Sequence, residues 1–316
     1  MEQLMTEMFM KNRKDWLPIP KCRYGERLYH YTDLKALKGI VMDHAFWVTK
    51  SDFLNDKFEF YYAFKVIRKV CMKLIPNPQN RKVFMHVLKE RMDFFHGSMS
   101  DQILAGWYVL SFSRVKDSLL LWTEFSQSQG YCLEFDYKRL VKGLFDGIRL
   151  DGYVIYDKKK QHELVENTLS RIMEGKDPGR KKLKEKLLSE DKEISPKELQ
   201  DLMKEFAVCC FVYSMFFKKD CFKEEKEYRF IFWAFHEEVA GQKGAPVTPI
   251  HFREKDQALL PYILVNYKEA EGNNPICSIT AGPKNDSDLA VKGMQYFLRN
   301  EKIVIPVRES KIPLRY

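Results

Sequence analysis

The amino-acid sequence predicts an α+β fold, with a mixed or antiparallel central sheet flanked by helices. Runs rich in aromatic and β-branched residues recur along the whole 316-residue chain, with helical stripes between them in no alternating order. There is no internal repeat. With 45% hydrophobic and 14% aromatic residues, the chain can bury one large core or two smaller ones. The expected layout is a lead-in over 1–27 and one α+β domain over 28–316, with a helical insertion at residues 157–218.

Trp16, Pro18 and Pro20 mark a turn into a first strand, Leu28–Tyr31. Thr32 stands where an N-cap would start a short helix with Leu34, Leu37 and Val41 on its apolar side. A second strand, Phe46–Thr49, leads to a polar turn. Phe60, Phe64, Ile67, Cys71 and Leu74 are spaced by four, three, four and three, a helical stripe that Pro76 and Pro78 end. A second helix, Asn80–Phe95, turns Val83, Val87, Leu88 and Phe95 inward, and the pair is expected to cover the strands. Trp107–Ser113, Tyr131–Asp136 and Gly152–Tyr156 read as strands, with a short helix at Leu119–Ser126.

From Asp157 to Lys204 the charges nearly cancel, which suits solvated helix faces. Ser195, Pro196 and Glu198 form a capping box with proline at the first helical position. The helix they start carries Leu199, Leu202, Phe206, Cys209, Tyr213 and Phe216 inward. Glu227–Phe235 is apolar on both faces beyond its first residues, so it reads as a strand buried on both sides. Strands at Leu259–Asn266 and Ile276–Ala281 follow. A helix at Ser287–Arg299 turns Leu289, Met294 and Phe297 inward, and Ile303–Val307 is a last strand.

Composition narrows the function classes. No window approaches the roughly 18 uninterrupted apolar residues of a membrane span, and MEQLMTEMFMKNRKDW lacks the apolar run of a secretory signal. A cytoplasmic protein that does not enter the membrane is expected. Seven cysteines, none spaced as CxxC and several in apolar surroundings, indicate reduced packing residues. The net charge of +9 permits a nucleic-acid or other acidic partner without specifying one. The chain has no GxGxxG, GxxxxGK[ST] or GxSxG, and His236-Glu237 lacks the second histidine of HExxH. The dispersed histidines form no metal set, and no metal is expected.

What remains is a set of polar residues at strand ends. His30, Tyr31 and Thr32 sit beside a helix N-terminus, a place that can hold an anionic ligand. Asn55, Asp56 and Glu59 follow the second strand, Ser111 and Ser113 lie on the third, and Glu227 and Arg229 open the late buried strand. Two residues apart in a strand, Glu227 and Arg229 share a face, so the arginine can orient the carboxylate. A structural ion pair explains that spacing equally well. A satisfied core histidine explains His30 equally well, a plain turn explains Asn55-Asp56, and a core position explains Trp122.

The segments LYHYTDLKALKGI, FWVTKSDFLNDKFE, LSFS, LLLWTEFSQSQGYCLEFD, FKEEKEYRFIFW, ITAGPKN and ESKIPLRY, in this order from Leu28 to Tyr316, resemble the bacterial family known as domain of unknown function 2971. Lys57 stands where that family's turn has proline, and Phe125 where it has a hydroxylated aromatic. A looser resemblance is to ADP-ribosyltransferases, which carry a His-Tyr-Glu pattern on a split sheet. This second resemblance implies NAD as substrate, with His30 on the ribose hydroxyls and Glu227 stabilising the oxocarbenium-like state as nicotinamide leaves. His30 and Glu227 are then the catalytic pair. It further implies that Thr49 or Ser51 forms the polar end of the second strand, that Tyr31 stacks on nicotinamide, and that Arg229 holds Glu227 or a phosphate. Thr32, Asn55, Ser113 and Trp122 complete the expected cofactor-binding set.

The acceptor is left open between protein, nucleic acid, small molecule and water. Two other classes stay in view: a non-catalytic module sensing a ligand or nucleic acid, and a nuclease resting on Asp220, Glu224 and Lys226.

Overall fold

The computed structural model describes residues 18–54, 59–100, 105–126, 129–144, 150–174, 178–235, 248–255, 257–267, 274–285 and 287–314. In chain order its elements begin with β1 (Arg27–Thr32), α1 (Leu34–Met42), β2 (Ala45–Lys50), α2 (Glu59–Leu74), α3 (Pro78–Ser100) and β3 (Ala105–Ser113). Then come α4 (Leu119–Ser126), β4 (Tyr131–Asp136), α5 (Tyr137–Leu144), β5 (Leu150–Tyr153), α6 (Lys158–Met173), α7 (Pro178–Leu187) and α8 (Pro196–Phe216). The chain continues through β6 (Glu227–Phe235), β7 (Ile250–Lys255), β8 (Ala258–Asn266), β9 (Ile276–Ala281), α9 (Ser287–Asn300) and β10 (Val307–Glu309). This is an α+β protein with a mixed central sheet. No helix among the described residues is long and apolar enough to cross a membrane.

Two compact units divide the chain. One is a helical unit that includes Leu54–Ala105 and Val154–Phe222; the other gathers Pro20–Phe53, Gly106–Tyr153 and Lys223–Tyr316. The segment expected as a helical insertion lies in the helical unit, together with α2 and α3.

The helical unit is built around α8. Ser195 Oγ accepts from the Glu198 amide while the Glu198 carboxylate accepts from the Ser195 amide, so the capping box forms as its sequence dictates. From Phe206 to Phe216 every residue of α8 is buried. A helix apolar all round needs neighbours on all sides. It packs against α2, α3, α6 and α7. The helices contribute Ala63, Val66, Ile67, Val70 and Cys71 of α2, Phe84, Val87, Leu88 and Met92 of α3, and Val165, Leu169 and Ile172 of α6. The α2 stripe is centred one residue away from the one expected through Phe64 and Leu74, which are only half-buried.

The sheet unit holds the strands in the order β10-β9-β4-β1-β3-β2-β8-β7, with β6 on β3 and β5 on β6. β10 runs parallel to β9, whereas β1 is antiparallel to both β3 and β4. Strand alternation gives one face Leu28, Phe46, Val48, Leu110, Phe112, Leu133, Phe135, Phe230 and Ile279. Leu37, Ile40 and Val41 of α1 join that core, as do Leu140 of α5 and Met294 and Leu298 of α9.

Several local expectations shift, among them the strand expected at Gly152–Tyr156, which is Leu150–Tyr153. Asp33, not Thr32, caps α1: Thr32 stays extended opposite Tyr131, and the Asp33 carboxylate accepts from the Ala36 amide. Leu289 is 76% exposed, because the inward stripe of α9 runs through Met294 and Leu298 instead. The last strand is Val307–Glu309 rather than Ile303–Val307. Lys302, at φ +58°, ends α9, and the Ile303 amide returns to the Leu298 carbonyl, so Ile303 belongs to the helix end. The strand β7 has no counterpart in the sequence reading.

Candidate functional site

The centre of the sheet unit is β3, which has three strand partners for its two edges. β2 meets it at Tyr108 and Val109, while β1 meets it at Ser113. Between these positions the Ser111 carbonyl finds no ladder partner in β1. Instead it accepts a hydrogen bond from Nδ1 of His30 at 3.0 Å. The His30 ring lies against Phe112 and Phe46, with centroids 5.2 and 5.7 Å away.

That hydrogen bond decides the tautomer. A carbonyl only accepts, so Nδ1 carries the proton. Although part of the residue is accessible, burial of the ring lowers its pKa to about 4, and the imidazole is neutral at pH 7. Nε2 is therefore an acceptor, and it makes no hydrogen bond among the described residues. Arg253 and Asp33 both act electrostatically on this ring.

On the opposite face of β3, the Ser111 hydroxyl donates to Oε1 of Glu227 at 2.6 Å. Arg229 closes the carboxylate from a second side, Nε to Oε1 at 2.7 Å and Nη2 to Oε2 at 2.9 Å. Both side chains are almost fully buried, at 8% and 3% exposure. The His30 ring and the Glu227 carboxylate thus lie on opposite faces of the sheet and meet only through Ser111, whose carbonyl serves one and whose hydroxyl serves the other.

The remaining expected residues separate into two groups. Thr49 is close to the gap: its Oγ1 accepts from Nη2 of Arg253 at 2.8 Å, while Nε of Arg253 is enclosed without a hydrogen-bond partner. Burial lowers the Arg253 pKa, opposed by Asp33 and Tyr262. Ser51 is buried with an unpartnered hydroxyl at the start of a short 3-10 turn. Beside Arg253, Tyr262 stacks on Trp47 at 5.1 Å and contacts His251 at 5.5 Å.

Tyr31, Thr32, Ser113 and Trp122 belong to the packing of the sheet unit. Tyr31 and Trp122 form a small apolar cluster with Leu121 and Cys132, their rings edge to face at 4.9 Å. The Tyr31 hydroxyl donates to the Val115 carbonyl and accepts from the Ser118 amide, so neither its ring nor its hydroxyl is free to meet a nicotinamide. Trp122 is fully buried, with Nε1 donating to Asp117 at 2.8 Å. Ser113 donates to the Glu225 carbonyl and accepts from the Val115 amide. Thr32 is buried at the end of β1. Asn55 lies outside the described residues.

Residues 121–230 match the family model described as protein of unknown function (DUF2971). No curated protein and no solved structure matches the chain. The DUF2971 match takes in Trp122, Glu227 and Arg229 and leaves His30, Thr49 and Arg253 outside it. The motif resemblance from Leu28 to Tyr316 is therefore supported over that central stretch.

Sequence reasoning named Ser111 as a strand residue without giving it a role, and it missed Arg253 altogether. Arg253 lies in IHFREK, whose charged second half hides an edge strand; the alternation of Ile250 and Phe252 with His251 and Arg253 is the signal that was available. Among the described residues no group of three or more histidine, cysteine, aspartate or glutamate side chains could hold a metal ion.

Proposed function

We propose that the sheet unit is an ADP-ribosyltransferase-like module that takes NAD at the gap where β1 and β2 part along β3. The observation that carries this reading is Ser111, which fixes His30 as a neutral acceptor and at the same time holds Glu227. A free imidazole Nε2 suits a ribose hydroxyl, which must donate to it. Arg253, whose Nη2 donates to Thr49, brings a guanidinium to this end of β2, the group that best matches a phosphate oxygen pair.

In this reading the C1′–N bond of NAD breaks with both electrons leaving on nicotinamide. The ribosyl cation is then captured by an acceptor lone pair, and the acceptor's proton passes to Glu227 or water. A carboxylate near the ribose stabilises that cation more in a desolvated cleft than in water. Glu227 lies across β3 from His30, so to do so it has to leave Arg229, whose guanidinium otherwise cancels its field, and pass Ser111 to the His30 face.

A second reading, a non-catalytic NAD or nucleotide sensor, is favoured by that same closed ion pair. A carboxylate held by at least three hydrogen bonds and 8% exposed is positioned for structure. Calorimetry with NAD, together with nicotinamide release by the native chain and by Glu227→Gln, separates the two. Release in the native chain that falls at least tenfold in Glu227→Gln supports the transferase. Binding without release supports the sensor, equal release removes Glu227, and absence of binding removes both.

A further inference from the structure

We infer that the helical unit carries an oligophosphate-binding groove between α2 and α6, separate from the proposed NAD site. A cavity of 450 Å³ there is lined by Lys69 and Lys73 of α2 and by Lys158, Lys159, His162, Glu163 and Glu166 of α6. Lys69 and Lys73 are one helical turn apart, so both reach the same side of α2.

The charge arrangement on α6 is contrary to what a helix needs for its own stability. The N-terminal end of a helix has partial positive charge and favours acids in its first turn. The first turn of α6 instead reads Lys158, Lys159, Lys160 and contains no acid; only Asp157 caps it, accepting from the Lys160 amide. Lys69 and Lys73 add to the same positive field. Among the described residues Lys69, Lys73 and Lys158 make no ion pair, and Lys159 reaches Glu163 only at 4.0 Å. Four lysines against two glutamates leave the groove short of negative charge.

A second observation comes from His162, whose Nε2 is enclosed without a hydrogen-bond partner. Burial first, and then Lys69, Lys158 and Lys73, lower its pKa, while Glu166 raises it. A bound anion would give Nε2 an acceptor to protonate towards and would cancel the lysine field.

The ligand class follows from what the groove lacks. No phenylalanine, tyrosine or tryptophan lines it, so the usual platform for stacking a base is absent. Lysines act as point charges without the fork that selects a single planar oxyanion. A flexible chain of phosphates fits this better than one carboxylate or one phosphate. Such a chain is supplied either by free polyphosphate or by the tail of a nucleoside triphosphate.

The test is titration of the full chain with tripolyphosphate, ATP and a single-stranded oligonucleotide at low salt, for the native protein, Lys69→Gln/Lys73→Gln, and Lys181→Gln on α7 as control. Tripolyphosphate should bind, weaken steeply with added salt, and lose roughly tenfold or more affinity in the double variant while the control is unchanged. ATP binding as tightly as tripolyphosphate assigns the tail of a nucleotide; ATP binding much more weakly assigns free polyphosphate. The imidazole resonance of His162 in the native chain should titrate at higher pH with tripolyphosphate bound, a readout that needs no variant to fold. Equal affinity in the double variant and the control, tighter binding of the oligonucleotide, or an unmoved His162 titration overturns the inference.

Discussion

Removing Arg229 tests the physics of the sheet centre most directly. In Arg229→Met the Glu227 carboxylate, 8% exposed in the native chain, loses both guanidinium bonds, at 2.7 and 2.9 Å, and keeps the one from Ser111 Oγ. Breaking one side of a buried, hydrogen-bonded pair typically destabilises by about 3–5 kcal/mol, because an uncompensated charge remains. Replacing both partners, as Glu227→Leu/Arg229→Met, removes the charge as well as the pair and should return to within about 2 kcal/mol of the native chain, the remaining cost coming from the polar groups left behind, the Ser111 hydroxyl among them. The double-variant cycle should therefore give a coupling of about 2 kcal/mol or more. Four of the five tryptophans, Trp47, Trp107, Trp122 and Trp233, belong to the sheet unit, so tryptophan fluorescence in urea follows chiefly the part in question. A loss below about 1 kcal/mol in Arg229→Met, or simple additivity in the cycle, would refute a dry, tightly held ion pair.

Three further outcomes follow from the same geometry. His30 titrates near 4 when folded and near 6.5 when unfolded, so the unfolded chain takes the proton first as pH falls; its contribution, about 3 kcal/mol by linkage, is present above pH 6.5 and is lost towards pH 4. His30→Phe should flatten that part of the stability profile. Gly130→Ala would place a Cβ 2.3 Å from the Thr32 carbonyl oxygen and 2.4 Å from Ser126 Cβ, so the turn into β4 must shift. A loss of about 2 kcal/mol or more in urea unfolding is expected, and a neutral result would show that the turn opens freely. Cys221 is the exposed cysteine, whereas Cys22, Cys71 and Cys209 are buried with thiols pushed up to about 12. Alkylation at neutral pH followed by peptide mass spectrometry should find Cys221 modified well before these three.

Strands dominated by apolar and aromatic residues were legible as they stood: Tyr131–Asp136 and Glu227–Phe235 begin and end where the sequence signals put them. The capping box at Ser195 was equally plain, since its chemistry is local. What failed depended on neighbours distant in the chain. Thr32 and Asp33 are both good caps, and pairing of Thr32 with Tyr131 decides between them. Ile250–Lys255 alternates only in its first half, as an edge strand can. At the site, the side-by-side placement of Glu227 and Arg229 follows from the two-residue period of a strand. The link through Ser111 does not, because it requires knowing that β1 and β2 leave the middle of β3 uncovered. Tyr31 and Trp122 carried the polar atoms that suggest a ligand, and the fold uses those atoms to fasten loops.

The order in which the ribosome delivers the strands bears on how β3 is assembled. Its neighbours β1 and β2 precede it, but β6 emerges more than a hundred residues later, after the whole helical unit. Until then one flank of a strand bearing Trp107, Val109 and Phe112 has no hydrogen-bonding companion. Such long-separated pairing is slow and leaves adhesive backbone in the open. A nascent chain stalled just past Phe222 should bind chaperones through its β3 segment, although its helical unit has already been synthesised.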